Sequence, residues 1–228
     1  MIESSPEILR IIEEARSDGW VLEPDAKRLF SLAGFSVPRF VFAQTTGEAL
    51  GFAREIGFPV VAKIVSLRIL HKSDVGGVVV GIGNDGRLVE VFERFQGLDG
   101  FLGVLVEEML PGGIELILGA KIDLQFGPMI LLGMGGTGVE IYQDVTLRMA
   151  PLTEKEVPAM IEGLKARRLL EGYRGAEPVN QGKLMETILA FSTLVMELEG
   201  RIASIDINPL LCSAGRCVVA DARIILGG

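Results

Sequence analysis

The sequence is poor in the residues on which several classes of protein depend. Its 228 residues include two cysteines, one histidine and one tryptophan, and aromatic residues make up 6% of the chain. Two cysteines are too few for a disulfide scaffold, and with a single histidine they cannot supply the four ligands of a structural zinc site. Folding therefore has to rest on an ordinary hydrophobic core.

Basic charge and long apolar runs are also scarce. Lysine and arginine total 22 against 30 acidic residues, for a formal charge of −8. Sequence-independent nucleic-acid binding needs many basic side chains, so the balance disfavours it. No apolar run approaches the ~18 residues of a membrane span, and the acidic first residues are unlike a secretory signal. We expect a cytoplasmic protein that binds neither nucleic acid nor membrane.

What the chain does contain is a typical globular composition with an excess of glycine. Apolar residues make up 49% and charged residues 23%, with 29 glycines, which excludes disordered and coiled-coil classes. Hydrophobic periodicity and turn residues mark the elements. They predict helices at residues 5–18, 25–33, 46–56, 86–95, 153–169 and 183–198, and strands at 38–43, 60–65, 78–82, 101–108 and 114–122.

This order of elements predicts an α+β protein of two small lobes, residues 1–100 and 101–228. The sequence LPGG at residues 110–113 predicts a hairpin between the strands on either side of it, and residues 201–226 predict two β runs around a second turn. A cleft between lobes is the default place for a ligand, so we expect the binding site there.

Lys63 lies inside the otherwise apolar strand VVAKIV. One interpretation is a lysine whose stem follows the sheet while its amine reaches water. The other rests on the next segment, LRILHKSDVGG at residues 67–77, which is polar and ends in a glycine pair. A strand lysine and a loop rich in backbone N–H groups can surround the same phosphates, and together they favour a nucleotide site.

His71 stands in that loop between Arg68 and Lys72. A lone histidine is more often structural or exposed than catalytic, and this one has no partners for a triad. Its cationic neighbours and the glycine pair suit instead a phosphate contact, or acceptance of a phosphoryl group by the imidazole, which keeps a nucleophilic nitrogen at pH 7. These interpretations stay open side by side.

The C-terminal hairpin places oxygen ligands together. A turn centred on residues 214–215 puts Asn208 opposite Asp221, with Asp206 on the same face, and directly opposed side chains are about 5 Å apart at Cβ. A carboxylate and an amide oxygen at that spacing can share Mg²⁺. The alternative is that Asn208 only starts a turn and the acids are solvated edge charges.

The same register sets Cys212 opposite Cys217, and we expect both thiols to be reduced in a cytoplasmic protein. The glycine-rich sequence GMGGTG at residues 133–138 lacks the spacing of a dinucleotide fingerprint and the Lys-Ser/Thr of a Walker loop. Both the Rossmann and the P-loop interpretations are therefore weak.

Acidic residues flank the predicted LPGG turn. Glu107 and Glu108 end one strand, Met109 follows, and Glu115 opens the next strand. Two adjacent carboxylates at a strand end are usually solvated. The functional alternative has the backbone near Glu108 and Met109 reading adenine, with an acid on the ribose hydroxyls.

Several segments together resemble a known family. Along residues 22–226, the chain resembles the ATP-grasp (beta) subunit of ADP-forming acetyl-CoA synthetases, and more distantly the nucleotide-binding beta subunit of succinyl-CoA synthetase. The segments are VVAKIVS, LHKSDVGGV, VLVEEMLPGGIELILGAKID, QFGPMILLGMGGTGVEIYQD, LRMAPLT, LLEGYRG, IDINPL and VVADARI. Of these, HKSDVGG and DINPL are specific. The loop histidine, absent at that point from succinyl-CoA synthetase, favours the acetyl type.

The resemblance implies an ATP-grasp fold whose two lobes grip ADP or ATP with Mg²⁺ in a nucleotide cleft. It implies that His71 and Lys72 are catalytic, with His71 a phosphoryl relay. The remaining implied residues are the nucleotide contacts Lys63, Leu70, Glu107, Met109 and Glu115 and the Mg²⁺ ligands Asn208 and Asp221.

The implied reaction converts acyl-CoA, ADP and phosphate into acid, CoA and ATP, through a phosphohistidine on a separate alpha subunit. The chain lacks a CoA-binding unit, so the resemblance implies a hetero-oligomer, with alpha2beta2 as the expected form, in which the alpha subunit carries the CoA-binding and phosphohistidine domains. Two alternatives are a non-catalytic, nucleotide-sensing ATP-grasp module and a ligase that joins an acid to an amine.

Overall fold

The chain folds into two compact units, each with its own sheet and hydrophobic core. The computed structural model describes residues 5–69, 71–136 and 143–227. One unit is Pro38–Pro111, and the other combines Met1–Val37 with Gly112–Gly228. Within the described residues, no helix is long and apolar enough to cross a membrane. The mixture of helices and sheets confirms the predicted α+β class.

The elements agree with most of the predicted ones. The helices are α1 (Pro6–Glu14), α2 (Glu23–Leu32), α3 (Thr46–Ile56), α4 (Asp85–Gln96), α5 (Glu156–Glu162) and α6 (Gln181–Leu198). The strands are β1 (Trp20–Val21), β2 (Phe40–Ala43), β3 (Val60–Ser66), β4 (Val78–Ile82), β5 (Phe101–Glu108), β6 (Ile114–Asp123), β7 (Gly127–Met134), β8 (Val145–Met149), β9 (Ile202–Cys212), β10 (Cys217–Val219) and β11 (Ala222–Leu226). Short 3₁₀ turns occur at Lys72–Val75 and Arg167–Leu169.

The smaller unit is an antiparallel sheet in the order β2-β5-β3-β4 with α3 and α4 packed on it. Helix α3 begins with a capping box between Thr45 and Glu48, and Asn84 caps α4. The apolar residues of α4 recur at helical spacing, which turns one face of the helix to the core. They are Leu88, Val91, Phe92 and Phe95, all buried.

The larger unit is a sheet in the order β1-β11-β9-β6-β7-β8, with β10 paired to β9. Its core lies on one face of the sheet, against helices that include α6. Strand β9 shows how the pleat divides the two faces, because Ile205 and Ile207 belong to the core while Asp206 between them points to the opposite face. Polar groups on that opposite face therefore stay outside the hydrophobic core.

The units divide before Pro38 and after Pro111, and not near residue 100 as the sequence predicted. The hairpin predicted at LPGG is wrong. Strand β5 pairs with β2 on one side and β3 on the other, so neither of its edges is open to β6. Strand β6 pairs instead with β7 and β9 of the larger unit. The LPGG segment thus carries the chain from one sheet to the other.

Two smaller differences lie near the C-terminus. Helix α5 ends at Glu162 instead of continuing to residue 169. Shortly after this end, the buried Asp144 carboxylate accepts hydrogen bonds from the Lys165 and Ala166 amides. The second of the two predicted β runs is divided into β10 and β11, separated by residues 220–221.

Truncation of Phe92 tests the core of the smaller unit. Phe92 is fully buried, and Phe92→Ala is expected to lower the free energy of unfolding of this unit by about 3–5 kcal/mol, because transfer and cavity costs add. Hydrogen exchange of amides in Pro38–Pro111 measures the change. Val80→Ala, at a site 62% exposed, is the control and should cost less than about 0.5 kcal/mol. Equal losses in both variants would contradict this account of the core.

Candidate nucleotide site

The smaller unit holds a buried ion pair between Lys63 and Glu107. The Lys63 Nζ lies 3.2 Å from the Glu107 Oε2, and the two side chains are 8% and 4% exposed. The interpretation of Lys63 as a lysine that reaches water is therefore wrong, and so is that of Glu107 as a solvated acid. An ammonium this well buried requires a nearby negative charge, because an unpaired buried charge is costly.

The register of the sheet explains why these two side chains meet. Val61 of β3 lies directly opposite Glu107 of β5, and Lys63 lies opposite Leu105. Lys63 and Glu107 are therefore diagonal neighbours on one face of the sheet, within reach of a long side chain. Alternate residues of β3, such as Ala62 and Ile64, point to the opposite face and join the core of the smaller unit.

The loop that follows β3 is tied down at its first residues. The Ser66 Oγ donates to the Asp99 carbonyl (2.8 Å) and accepts from the amides of Arg68 (3.0 Å) and Ile69 (3.3 Å). The Arg68 Nη1 also lies 3.2 Å from the Asp99 Oδ1. Arg68 thus helps to hold the start of the loop through its ion pair with Asp99.

The last residues of the loop are tied down as well. Arg94 of α4 donates to the Gly76 carbonyl (2.7 Å), and the Gly77 amide donates to the Lys72 carbonyl (2.7 Å). A Cβ at Gly77 would lie 2.6 Å from the Ile64 Cγ2, so this close approach requires glycine. The loop is thereby held at both ends.

His71 and Lys72 lie between these two attachments. His71 is exposed and immediately precedes the 3₁₀ turn, while Lys72 is half-buried within it. Leu70, predicted to contact the nucleotide, lies outside the described residues. The arrangement presents an imidazole to solvent from a short segment with fixed ends.

The acids and Met109 around the crossover between the sheets have different surroundings. Glu108 is half-buried and pairs with Arg39 at 3.4 Å, and Met109 is 42% exposed. Glu115 is exposed, and its carbonyl accepts from the Gly135 amide at 2.7 Å. A Cβ at Gly135 would lie 2.8 Å from the Glu115 backbone, so the first part of GMGGTG is a close-packing segment beside Glu115. Its residues 137–138 lie outside the described residues.

In the larger unit, the C-terminal hairpin has the predicted register. Cys212 pairs with Cys217, and the Asn208 amide donates to the Asp221 carbonyl at 3.2 Å. The cysteines are buried free thiols, and the hydrogen bond to Cys217, together with burial, raises the pKa of Cys212. Asn208 therefore lies opposite Asp221, as the predicted register of the hairpin requires.

The oxygen atoms of this hairpin suit a hard divalent cation. Burial raises the pKa of Asp206, the nearby Asp221 raises it further, and Arg223 opposes the shift. The Asp206 and Asp221 carboxylates repel each other, and Asn208, two residues after Asp206 on β9, is exposed. Carboxylate and amide oxygens are donors of the kind that Mg²⁺ prefers. Within the described ranges, no group of three or more His, Cys, Asp or Glu residues is placed to hold a metal, so substrate oxygens or water would have to complete the shell.

Sequence reasoning missed the residues that hold the loop. Ser66 stands directly after a strand and before a polar segment, which is a local signal for a side chain that bonds to following amides. Arg94 and Asp99 have no such signal, because Arg94 lies 18 residues beyond Gly76 and Asp99 lies 33 residues beyond Ser66. Only the packing of α4 and β5 beside β3 brings them there.

Comparison with known proteins identifies the family of the chain. The sequence profile of the ATP-grasp domain matches residues 13–226, and the chain belongs to the ATP-grasp family. Within it, the chain belongs with the beta subunits of ADP-forming acetate–CoA ligases. It is 42% identical to subunit beta of acetate–CoA ligase (ADP-forming) I of Pyrococcus furiosus, over 95% of this chain and 96% of that protein.

Other relatives have this region within a longer protein. The 4-hydroxybutyrate–CoA ligase (ADP-forming) of Nitrosopumilus maritimus is 40% identical over 90% of this chain, and the chain spans 30% of its length. Among solved structures, acetyl-coenzyme A synthetase 1 of Ca. Korarchaeum cryptofilum in complex with coenzyme A and Ca-AMPCP matches with a TM-score of 0.90 and 38% identity, over 96% of this chain and 99% of that one. The predicted ATP-grasp fold is thus confirmed.

Replacement of Glu107 tests how much the Lys63–Glu107 ion pair contributes to the free energy of unfolding. Glu107→Gln removes the carboxylate that lies 3.2 Å from the buried Lys63 ammonium and is expected to lower the free energy of unfolding by about 3–5 kcal/mol. Adding Lys63→Met to this variant removes the buried ammonium as well and should recover much of the loss. Urea denaturation measures both. Asp99→Asn, which breaks the exposed pair with Arg68, is the control and should have a much smaller effect. A double variant as unstable as Glu107→Gln would contradict the argument.

Proposed function

We propose that this chain is the nucleotide-binding subunit of an ADP-forming acyl-CoA ligase of the acetate–CoA ligase type. It transfers a phosphoryl group between a phosphohistidine of a partner subunit and ADP. The observation that carries the proposal is the near full-length match to a beta subunit of that enzyme in Pyrococcus furiosus. A neighbouring structure in complex with coenzyme A and Mg-AMPPCP has its phosphohistidine segment pointing towards the nucleotide binding site, which supports this direction of transfer.

The proposed complex is a hetero-oligomer with an alpha subunit that carries the CoA-binding and phosphohistidine domains, in the form alpha2beta2. Support comes from the relatives in which this chain corresponds to 30–33% of a longer protein. In the proposed complex, the alpha subunit corresponds to the remaining part of those proteins. The acyl group, in this proposal, reacts on that subunit.

The residues have the following proposed roles. Lys63 and Lys72 bind and neutralise nucleotide phosphates, as phosphoryl transfer rests on positioning and charge stabilisation. Asn208 and Asp221 hold Mg²⁺, which would supply further neutralisation of phosphate charge when bound. Nucleotide contacts are assigned to Leu70, Glu107, Met109 and Glu115, and the phosphoryl relay to His71.

The rival function is a non-catalytic nucleotide sensor with the same fold. The presence of Lys63, His71, Asn208 and Asp221 favours the catalytic function, since a sensor has no need of the loop histidine. The test mixes the purified chain with its cognate alpha subunit, acetyl-CoA, phosphate, ADP and Mg²⁺. Formation of ATP that requires both subunits supports the ligase. Nucleotide binding without any ATP formation would support the sensor.

Replacement of Asp221 tests the Mg²⁺ site. Asp221→Asn removes one of the negative charges next to Asp206 and is expected to weaken Mg²⁺-dependent ADP binding roughly 10-fold or more, with the fold intact. Titration calorimetry with and without Mg²⁺ measures the effect. Asp85→Asn, an equal change of charge at a residue of the smaller unit that pairs with Arg54 outside the loop, should leave the affinity unchanged. An Asp221→Asn protein with the wild-type response to Mg²⁺ would remove Asp221 from the site.

Replacement of His71 tests the relay. In the proposed step, a ring nitrogen of His71 takes the phosphoryl group as its bond to the partner histidine breaks, and then passes it to a terminal oxygen of ADP. His71→Asn keeps hydrogen bonding but has no nucleophilic nitrogen. It is expected to bind ADP normally and to lose transfer by about 10³-fold or more.

Rapid-quench labelling with radioactive phosphate, followed by mapping of acid-labile phosphohistidine, measures the intermediate directly. Ser73→Asn is the matched control, because Ser73 is an exposed neighbour in the same loop. Absence of label on wild-type His71, with turnover preserved in His71→Asn, would leave this residue as a phosphate contact.

A further inference from the structure

The larger unit exposes a group of large apolar side chains that the proposed nucleotide site does not use. Leu124 and Phe126 stand at the tip of the β6–β7 hairpin and are 107% and 58% exposed. Val145, Leu147 and Met149 of β8 are 37%, 49% and 56% exposed. We call these five residues the apolar patch. Grouped exposure of this kind marks interaction sites, whereas scattered single residues do not.

The tip of the hairpin is held in a fixed conformation. The Asp123 Oδ1 accepts hydrogen bonds from the amides of Gln125 (2.8 Å) and Phe126 (2.9 Å), and Asp123 pairs with Gly127 across the turn. These bonds, first of all the one from the Phe126 amide, lower the pKa of Asp123. Leu124 and Phe126 are thus presented to solvent on a preorganised turn, which reduces the entropy cost of binding.

The residues of β8 continue this surface. Met149 and Leu147 lie opposite Met129 and Leu131 of β7. Because Ile130 and Leu132 of β7 belong to the core, Met129 and Leu131 point to the other face, and so do Leu147 and Met149. In the sheet as described, β8 is the last strand on its side. An edge strand with exposed apolar residues needs cover, because it otherwise promotes aggregation.

The β8 residues of the patch share their sheet face with the proposed metal ligands. Leu147 lies opposite Leu131, which lies opposite Gly119, and Gly119 lies opposite Asp206. This row crosses from β8 to β9, and at about 4.8 Å per strand it separates Leu147 from Asp206 by roughly 14 Å. The hairpin tip lies at the other end of β6 and β7, so a partner that covers both parts of the patch would extend from the tip towards the hairpin of Asn208 and Asp221.

We propose that the apolar patch is the docking surface for the phosphohistidine-bearing subunit. This inference rests on the proposed function. This chain spans 30–33% of some longer relatives, in which the rest of the protein is joined to it by the polypeptide. In the proposed complex, the corresponding part is a separate subunit, which the beta subunit has to bind through its surface. A subunit that delivers a phosphoryl group has to approach the nucleotide site, and the β8 residues of the patch lie on the face that carries the metal ligands.

The composition of the patch fits such a contact. Aromatic residues and methionine are enriched at protein interfaces, and Phe126 and Met149 are the most exposed members after Leu124. We expect Phe126 and Leu124 to enter apolar pockets on the partner, with Lys121, exposed on the same sheet face, at the rim. The alternative occupant is a second copy of this chain, which the experiment distinguishes.

The experiment replaces the tip residues with asparagine, which suits a turn. The double variant L124N/F126N is expected to bind the cognate alpha subunit roughly 10- to 100-fold more weakly than the wild-type chain. Its melting temperature and ADP affinity should be unchanged, because both side chains are exposed and outside the nucleotide site. Met149→Lys is a second variant of the patch with the same expected direction.

Val80→Asn is the matched control, since Val80 is an apolar residue of the smaller unit whose exposure of 62% is close to the 58% of Phe126, and the alpha-subunit affinity of this variant should equal that of the wild type. Biolayer interferometry on the full-length chain measures the affinities. If the wild-type chain forms no complex, the proposed partner and this inference fail together. If the wild-type complex forms and L124N/F126N binds equally well, the inference alone is overturned. If the isolated wild-type chain forms dimers and the L124N/F126N variant is a monomer, the patch serves self-association, and this result would also overturn the inference.

Discussion

A lysine ammonium buried in the middle of a sheet needs a negative charge within a few ångströms, and the Lys63–Glu107 contact meets that need. Its consequences extend through the smaller unit. The pair requires β3 and β5 to be neighbours in one register, since a shift by one residue would turn Lys63 into the core of Ala62 and Ile64. The position of β5 between β2 and β3 then prevents it from pairing with β6. The charge pair and the topology of the sheet are thus mutually dependent.

The loop after β3 depends on the same sheet. Its first residues bond to Ser66 at the end of β3, and Asp99, which precedes β5, holds Ser66 and Arg68. Its last residues bond to Arg94 of α4. A segment attached at both ends to a packed sheet and helix can present His71 to solvent in a restricted region of space. For a group proposed to meet both a donor and an acceptor, such restriction would reduce the entropy lost on reaching either of them.

The larger unit separates structural and chemical tasks by the two faces of its sheet. One face carries the hydrophobic core, and the other carries Asp206, Arg223 and the apolar residues of β8. The alternation of side chains along each strand makes this separation automatic once one face is buried. The proposed metal site and the proposed docking surface can therefore share a face without weakening the core.

The sequence by itself determined features that depend on neighbouring residues. Turn residues and periodicity predicted β5 and α3 with the observed bounds, and the turn at residues 214–215 fixed the pairing of Asn208 with Asp221, because a short hairpin sets its own register. Family motifs, which are also local, identified the ATP-grasp fold. The tertiary structure decided which strands became neighbours. The LPGG segment resembles a hairpin turn, yet it links two sheets, because both edges of β5 are taken by strands distant in sequence. For the same reason, the burial of Glu107 beside Lys63 and the contact of Arg94 with Gly76 could not be predicted, since such long-range contacts depend on how whole elements pack.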